Sequence, residues 1–566
     1  MVESHQVLIV GGGLAGLRAA IAVADAGRDV AVMSQVHPVR SHSVAAQGGI
    51  NAPLGNAEGG KDDSWERHAY DTVRGSDFLA DQDVVEVMSR EAAEVIYELE
   101  GWGAPFSRTP EGRIAQRPFG GAEFPRTCYA ADKTGRLLMH TLYEQSMRRR
   151  IRLYPEWMVL SLVVENGLCL GVVAYHMLTG ELACLATGSV VFATGGYGQI
   201  YGRSTNSQFN TGSGMAHAYY AGVPLKDMEF VQFHPTTLIG SNILVTEAAR
   251  GEGGYLINNK GERFMKDYVP KLMELGPRDI VARAIQTEIN EGRCFDDGSV
   301  YLDLRHLGEK KIVERLPEVR SNCLHSLGID PVKRPIPVQP GQHYSMGGID
   351  CNVDGETLVK GFYAVGECAC ASVHGANRLG GNSLLDTVVF GRRVGRKITE
   401  AGTGESSSPN GKALERAKGR VEGWLKELFS GSGDEEPAQL RAELKETTIE
   451  KCGIFRDGAV LKEALSKVTE LQGRYKKLRA IRGGRKFNHD MTRASDLGGM
   501  LDRAEVIVRG ALAREESRGA HYRMDFKARD DVRWLKHTMV QHALEGPRFS
   551  YKPVAVTRWK PEVRKY

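Results

Sequence analysis

Nowhere in this 566-residue sequence do eighteen apolar residues run together, which excludes a membrane-spanning helix. The first apolar run, Val7 to Val10, comes so early that no signal or transit peptide is expected ahead of it, so any membrane attachment must come through a partner. Cysteine is scarce: nine residues, an odd number, with no CxxC pair. That argues against a disulfide framework and against the ligand spacing of a zinc or iron–sulfur site, so no metal is expected and the chain reads as reduced and intracellular. Cys368 and Cys370 read as small buried residues. An excess of one charge is also missing: a net +4 argues for neither nucleic acid nor anionic lipid. The one basic run, Lys476, Lys477, Arg479, Arg482, Arg485 and Lys486, has no interleaved aromatics for base stacking and reads as a solvated face, with docking to a partner as the alternative.

Glycine, by contrast, is plentiful at 66 residues, which suggests many turns and close approaches of backbone to ligand. The length calls for several domains, and 42% hydrophobic with 25% charged residues is ordinary for a globular protein.

Val7-Leu8-Ile9-Val10 leads into Gly11-Gly12-Gly13-Leu14-Ala15-Gly16 and then an alanine-rich helical pattern over Leu17 to Ala26. Strand, glycine turn and helix in that order suit a dinucleotide: Gly11 makes the turn, Gly13 admits a pyrophosphate to the backbone, Gly16 lets helix pack on strand, and the helix N-terminus faces the phosphates. The second strand, Asp29 to Met33, ends at Ser34 where an acidic residue would hold an NAD ribose, which counts against generic NAD binding. Some thirty residues beyond the first strand lies Arg40-Ser41-His42-Ser43-Val44-Ala45-Ala46-Gln47-Gly48-Gly49-Ile50-Asn51. A histidine in such a polar, glycine-rich turn is placed for the dimethylbenzene end of a bound flavin. His42 is therefore the candidate for a covalent bond to FAD, since a neutral imidazole is nucleophilic near pH 7. A loop histidine bonded to its neighbours is the plain alternative.

Ser189 to Gly196 and Gly361 to Glu367 are apolar strands stopped by glycine, and both read as returns to the first sheet. A domain inserted between about Pro235 and Gln342 would then split a flavin domain that is joined in space. The expected organisation is α/β: a Rossmann-like FAD-binding domain (1–235 and 343–396) split by an α+β capping domain (236–342), then a helical bundle (411–513) and a small C-terminal domain (514–566). Gly402 to Pro409 reads as a linker and Ser430 to Pro437 as an exposed turn. Leu414, Ala417, Val421, Trp424, Leu425 and Leu428 share one helical face, as do Leu461, Leu465, Val468, Leu471, Tyr475 and Leu478, so a bundle of three or four helices is expected. The tail from Trp534 is partly β-like.

Several long strings then resemble the flavoprotein subunit of succinate dehydrogenase and fumarate reductase, the complex II family. They are Arg40 to Ile50 (RSHSVAAQGGI), Phe233-His234-Pro235-Thr236, Thr246-Glu247 with Gly251 to Gly254, Arg278-Asp279, His343 to Gly348, and Glu516 to His521. The most specific is His374 to Asp386, HGANRLGGNSLLD. The resemblance covers nearly the whole chain and implies FAD joined to His42. It implies further that Gly11, Gly12, Gly13, Leu14, Ala15, Gly16, Ser34, Ser43, Gln47, Gly48, Gly49, Glu367, Ser383 and Leu384 hold the cofactor. Ser213 departs from the pattern, standing where the family carries aspartate, although its hydroxyl can still form a hydrogen bond.

A four-carbon dicarboxylate has two negative charges, and oxidising it removes a hydride from one carbon and a proton from the next. Its site must clamp both carboxylates, which suits arginine's paired donors with histidine or threonine completing the cage. The resemblance implies that His234, Thr246, His343 and Arg378 do this. His234 and His343 flank the inserted domain, so its closure would bring ligands from both sides together and expel water. Arg278 is implied as the proton carrier: a natural acid toward fumarate, and by microscopic reversibility a base in its neutral form. Glu247 and Arg250, one helical turn apart, are placed to relay the proton, the alternative being a surface ion pair.

With no cluster ligands in the chain, electrons are expected to leave through a separate iron–sulfur subunit and a quinone-reactive membrane anchor. The chain would then sit on the cytoplasmic side of the membrane, held there by those partners. Within the family the reverse enzyme, fumarate reductase, is the alternative, and Gln47 leans toward the dehydrogenase. L-aspartate oxidase, a soluble relative without the linking histidine, is a second, and a non-catalytic flavin-bearing subunit a third.

Overall fold

The structure is a computed structural model and describes residues 2–400 and 411–564; the expected linker Gly402 to Pro409 lies outside the described residues. A seven-stranded sheet forms the base of the molecule. Val2–Val10 lies between Val30–Ser34 and Leu182–Phe192, parallel to both, and Arg152–Pro155 extends the parallel edge beyond Val30–Ser34. Trp157–Glu165 and Leu168–His176 complete it as antiparallel strands. Phe362–Ala364 pairs with Leu182–Phe192 in parallel, joining two segments far apart in sequence as the two glycine-stopped strands suggested. Val7, Leu8, Ile9 and Val32 are buried, in keeping with a parallel sheet covered on both faces. The Leu14–Asp25 helix packs on one face together with the Asn382–Glu400 helix, and their apolar residues share one core. This helix begins three residues earlier than its apolar pattern suggests, directly at the glycine turn.

The inserted unit is built on a four-stranded antiparallel sheet ordered Val231–Leu238, Ile336–Ser345, Val300–Asp303, Tyr255–Ile257. The helices Arg278–Asn290 and Pro317–Leu327 accompany it, and Val281, Ile285 and Val319 share its separate core with Val300 and Val338. The fold is thus a Rossmann-like unit split by an inserted α+β unit.

Four helices follow: Gly411–Ser430, Pro437–Lys451, Gly458–Tyr475 and His489–Ala513. The last three pack on one another, whereas the first lies across the antiparallel strands of the large sheet. Its apolar face, Leu414, Val421, Leu425 and Leu428, shares a core with Leu162, Val172 and Leu185. The matching surface is the apolar face of that sheet, which a reading of the helix alone does not reveal. The stretch expected as an exposed turn leaves Ser430, Ser432 and Asp434 exposed, and it is also pinned: Glu435 receives Arg474, and Glu436 pairs with Arg479. Lys476, Lys477, Arg482 and Lys486 of the basic run are exposed, as a solvated face requires.

The tail returns to the body. Lys536–Gln541 and Arg548–Pro553 form a hairpin that adds to Leu225–Lys226, Gly348–Asp350 and Ala369–Cys370 in a five-stranded sheet. His537 fixes this junction, its Nδ1 2.6 Å from Asp227 and its Nε2 3.1 Å from Asp81. Burial opposes protonation there, but the two carboxylates outweigh it and raise the imidazole to about 9. Because the folded value lies above the unfolded one, the stabilisation is complete below about pH 6.5 and lost as pH rises through 9. The melting-temperature difference between the protein and His537→Gln is therefore expected to be largest at pH 6 and to shrink toward pH 9.5. A difference that does not change with pH would refute the charged clamp.

All nine cysteines are unpaired, and no group of three or more His, Cys, Asp or Glu able to hold a metal occurs among the described residues. No helix among them is long and apolar enough to cross a membrane.

Candidate active site

The chain turns at Gly11 with φ +121°, and a Cβ there would lie 2.1 Å from the Ala193 carbonyl oxygen. A Cβ at Gly16 would lie 1.9 Å from the Gly11 carbonyl oxygen, so these two glycines are required by packing. Gly13 lines the cleft, and an added Cβ there would lie 3.1 Å from Ser43 Oγ. The first helical amide, Leu14 N, donates to Ser43 Oγ at 3.3 Å, which ties the histidine-bearing turn to the helix N-terminus.

This turn opens into a cleft of about 490 Å³ between the large sheet and the inserted unit. Gly11, Gly12, Gly13, Leu14, Ala15, Ser34, His42, Ser43, Gln47, Gly48, Gly49, Ser213, Glu367, Ser383 and Leu384 all line it. Gly16 does not, being buried between helix and strand. The same cleft continues to His234, Thr246, Glu247, Arg278, His343 and Arg378. Arg250 lies behind this wall, one turn beyond Glu247 on the short Glu247–Gly251 helix.

The residues fit an elongated dinucleotide. A glycine turn, a helix N-terminus whose N-cap Gly13 offers no side chain, and the buried Gln47 Oε1, which has no hydrogen-bond partner, face one continuous space. His42 stands on the short turn His42–Ala45, half-buried in the cleft wall. Ser207 N donates to its Nδ1 at 3.3 Å, and the Asn206 side-chain amide lies 3.4 Å from Nε2. Burial among the walls lowers His42 to about 4, so the ring is neutral at pH 7. Burial likewise pushes Glu367 up to about 7, although the Ser345 amide donates to it at 2.9 Å.

At the other end, two imidazoles and two guanidinium groups converge. His234 and His343 rings lie 4.9 Å apart edge to face, on the neighbouring strands Val231–Leu238 and Ile336–Ser345. Both titrate well below the usual imidazole range, first through burial and then through nearby positive groups, Arg278 among them. His234 Nδ1 is occupied by Thr236, while its buried Nε2 has no partner. His343 Nδ1 lies 2.9 Å from Thr205 Oγ1. Arg378 sits 4.6 Å from the Tyr344 ring centre, with its Nε unpartnered, and burial together with Arg278 lowers it to about 9. Thr246 caps its helix by accepting from Ala248 N at 3.2 Å.

Arg278 Nε donates to Glu247 Oε2 at 2.6 Å, and its Nη1 donates to Gln232 Oε1 at 3.2 Å. These two bonds fix the plane of the guanidinium group at the cleft. Glu247 also accepts from Gly120 N at 2.5 Å, and despite its burial the neighbouring Arg278 and Arg250 hold it below the usual carboxylate range. Arg250 Nη2 lies 3.9 Å from Glu247, too long for a direct hydrogen bond. Arg278, Glu247 and Arg250 are all buried, which excludes a surface ion pair.

The pocket also contains groups not singled out in the sequence. Gln232 holds Arg278 on one side and, through its amide, Asn377 Oδ1 at 2.9 Å and the Arg378 carbonyl at 2.8 Å on the other. Strand alternation from His234 puts Gln232 on the same face, so a signal for it was present. Asn206 and Ser207, which hold His42, belong to a loop without any motif.

A buried pocket with an excess of positive charge and unpartnered donors suits a compact dianion, set end to end with a dinucleotide cleft. The model of the FAD binding domain matches residues 6–384, and that of the fumarate reductase flavoprotein C-terminal region matches 441–566. A fumarate reductase flavoprotein subunit from Mycobacterium tuberculosis is 45% identical over 586 aligned positions, covering 100% of both chains. A succinate dehydrogenase flavoprotein subunit from Rickettsia bellii is 44% identical, covering 99% of this chain and 97% of its own. A solved chain of a mutant Escherichia coli quinol fumarate reductase superposes with a TM-score of 0.96 at 44% identity, covering 100% of this chain and 99% of its own. Cleft, pocket and these likenesses agree, and the chain belongs to the family of succinate dehydrogenase and fumarate reductase flavoprotein subunits, FAD-dependent oxidoreductases.

Proposed function

We propose that the chain oxidises succinate to fumarate, with FAD carried covalently on His42. The observation that carries this reading is the group formed at one end of the FAD cleft by the buried Arg278, Arg378 and His234 and the half-buried His343. Bound FAD would supply the two-electron acceptor. Arg378, His234, His343 and Thr246 bind the two carboxylates, which supply acceptors for the unpartnered His234 Nε2 and Arg378 Nε. Both imidazoles are neutral at pH 7, so the formal charge that meets the substrate comes from the two arginines. Arg278, its plane fixed by Glu247 and Gln232, handles the proton at the adjacent carbon, and Glu247 with Arg250 passes it onward. His42, neutral and oriented by Ser207, provides the nucleophilic nitrogen for attachment.

The remaining roles follow from the same reading. The cofactor-binding positions that line the cleft hold FAD, with Gly16 serving helix–strand packing behind it, and the domain boundaries are 1–235, 236–342, 343–396, 411–513 and 514–566. Electrons leave to an iron–sulfur subunit and a quinone-reactive membrane anchor, which hold the chain peripherally on the cytoplasmic side. The solved relative's name includes a quinol, which supports such an acceptor.

Fumarate reduction is the second reading, favoured by the name of the Mycobacterium tuberculosis relative. Gln47 favours oxidation, since a neutral amide at the cleft adds no negative charge beside the cofactor. The test is to measure succinate oxidation and fumarate reduction in the native complex with quinones of known potential. Oxidation is expected to predominate with a high-potential quinone, and faster net fumarate reduction under all conditions would reverse the assignment. Aspartate turnover without succinate turnover would replace both readings with an amino-acid oxidase.

A further inference from the structure

Far from the cleft in sequence, Arg564 reaches the helix that carries Arg278. Its Nη2 donates to Asp279 Oδ2 at 2.7 Å, and its Nε lies 3.3 Å from Asp77 Oδ1. Asp279 follows Arg278 on the Arg278–Asn290 helix of the inserted unit, whereas Asp77 belongs to the turn after the Trp65–Gly75 helix of the Rossmann-like unit. One guanidinium group, only 11% exposed, thus bridges the two bodies that form the walls of the cleft.

Each end of the bridge is held independently. Asp77 and the bulky Phe78 both adopt left-handed backbone, φ +55° and +60°, a costly conformation that persists only where the surroundings impose it. The Asp77 carboxylate accepts from Gly519 N at 2.8 Å and Arg529 Nη1 at 2.7 Å, and its carbonyl accepts from Arg518 Nη1 at 2.9 Å. Asp279 accepts from Arg283 at 3.1 Å and from Asn377 Nδ2 at 3.2 Å. Asn377 in turn is bonded to Gln232, which holds Arg278 and the Arg378 backbone. The tail itself is seated on the Rossmann-like unit, where Gln82 Oε1 accepts from the amides of Thr557, Arg558 and Trp559, and within the C-terminal segment Arg529 donates to the Glu562 carbonyl at 2.9 Å.

We propose that Arg564 is a positioning residue for the dicarboxylate site: the C-terminal tail latches the Arg278-bearing helix to the Rossmann-like unit, so that Arg278 and Arg378 meet the substrate at a fixed separation. This rests on the dicarboxylate reading given above. Arg564 touches neither substrate nor cofactor. Its loss lowers the fraction of molecules in which the two walls are in register, and apparent affinity falls by that fraction. Substrate clamped from both walls restores the register at saturation, so turnover of the saturated enzyme is kept. A merely structural residue behaves oppositely, lowering flavin content and kcat together while KM stays constant. Asp279 retains Arg283 and Asn377, and Asp77 retains Arg529, so neither carboxylate is left bare.

The test uses the full chain in its native complex, with dye-linked succinate oxidation and a malonate titration followed by flavin absorbance. R564Q is expected to raise the KM for succinate and the Kd for malonate together by about tenfold, with kcat per bound flavin within about twofold of the unmodified enzyme. R564K keeps the charge but not the fork and is expected at intermediate values. It also carries the test if R564Q does not accumulate with its flavin. Unchanged KM and Kd in R564K and R564Q, or a loss confined to kcat and flavin content, would overturn the latch alone. An unmodified enzyme that neither oxidises succinate nor binds malonate would overturn the latch and the dicarboxylate reading together.

Discussion

Arg278→Ala is expected to lose about a thousandfold or more in kcat while retaining FAD and binding malonate within a few-fold of the unmodified enzyme. A positioned proton donor contributes roughly a hundred- to ten-thousandfold to such steps. Its Nε and Nη1 are tied to Glu247 and Gln232, so both the position and the plane of the group are set before substrate arrives. Binding depends chiefly on Arg378, His234, His343 and Thr246, which the substitution leaves in place. Arg278→Lys restores the charge but cannot bond Glu247 and Gln232 from two nitrogens of one rigid plane, so it is expected to recover little of the rate. Stopped-flow reduction of the bound flavin by succinate isolates the step. Retention of a tenth or more of the rate in Arg278→Ala would move the proton role elsewhere.

His42→Ser should release the flavin from the chain without emptying the cleft. Acid-precipitated protein is then expected to lose its yellow colour, while the native protein keeps FAD through the glycine turn, Gln47 and the other cleft residues. By the reasoning of the family resemblance, the histidyl bond makes the cofactor a stronger oxidant. Succinate is a mild reductant, so its oxidation is expected to fall by more than about tenfold, which for a two-electron couple corresponds to roughly 30 mV. Fumarate reduction, which benefits from a lower potential, is expected to remain within a few-fold. Equal losses in both directions would show that His42 attaches the cofactor without tuning it. Unchanged covalent flavin in the variant would remove His42 from the role altogether.

Much of this was written locally. Strand, glycine turn and helix are contiguous in Val7 to Ala26, so period and turn chemistry suffice to place the Rossmann-like start. The string from His374 to Asp386 contains Arg378 and the start of the Asn382–Glu400 helix, so one short stretch supplies a pocket wall and part of the cofactor cleft. What escaped the sequence depends on distance. The Gly411–Ser430 helix has an apolar face that suits a bundle as well as a sheet, and only the sheet's own uncovered face decides between them. Gln232 is a plain strand glutamine until Arg278 and Asn377 are brought to it from far along the chain. Nothing near Asp77 announces that its carboxylate is matched by arginines more than four hundred positions later.

The five-stranded sheet also has a consequence for biogenesis. It takes strands from Leu225–Lys226, Gly348–Asp350 and Ala369–Cys370 but is finished only by Lys536–Gln541 and Arg548–Pro553. During translation the early strands therefore emerge with an unpaired edge, and they must wait for almost the entire polypeptide before it can be covered. A product that ends before these strands keeps that edge unpaired, which favours pairing with another chain.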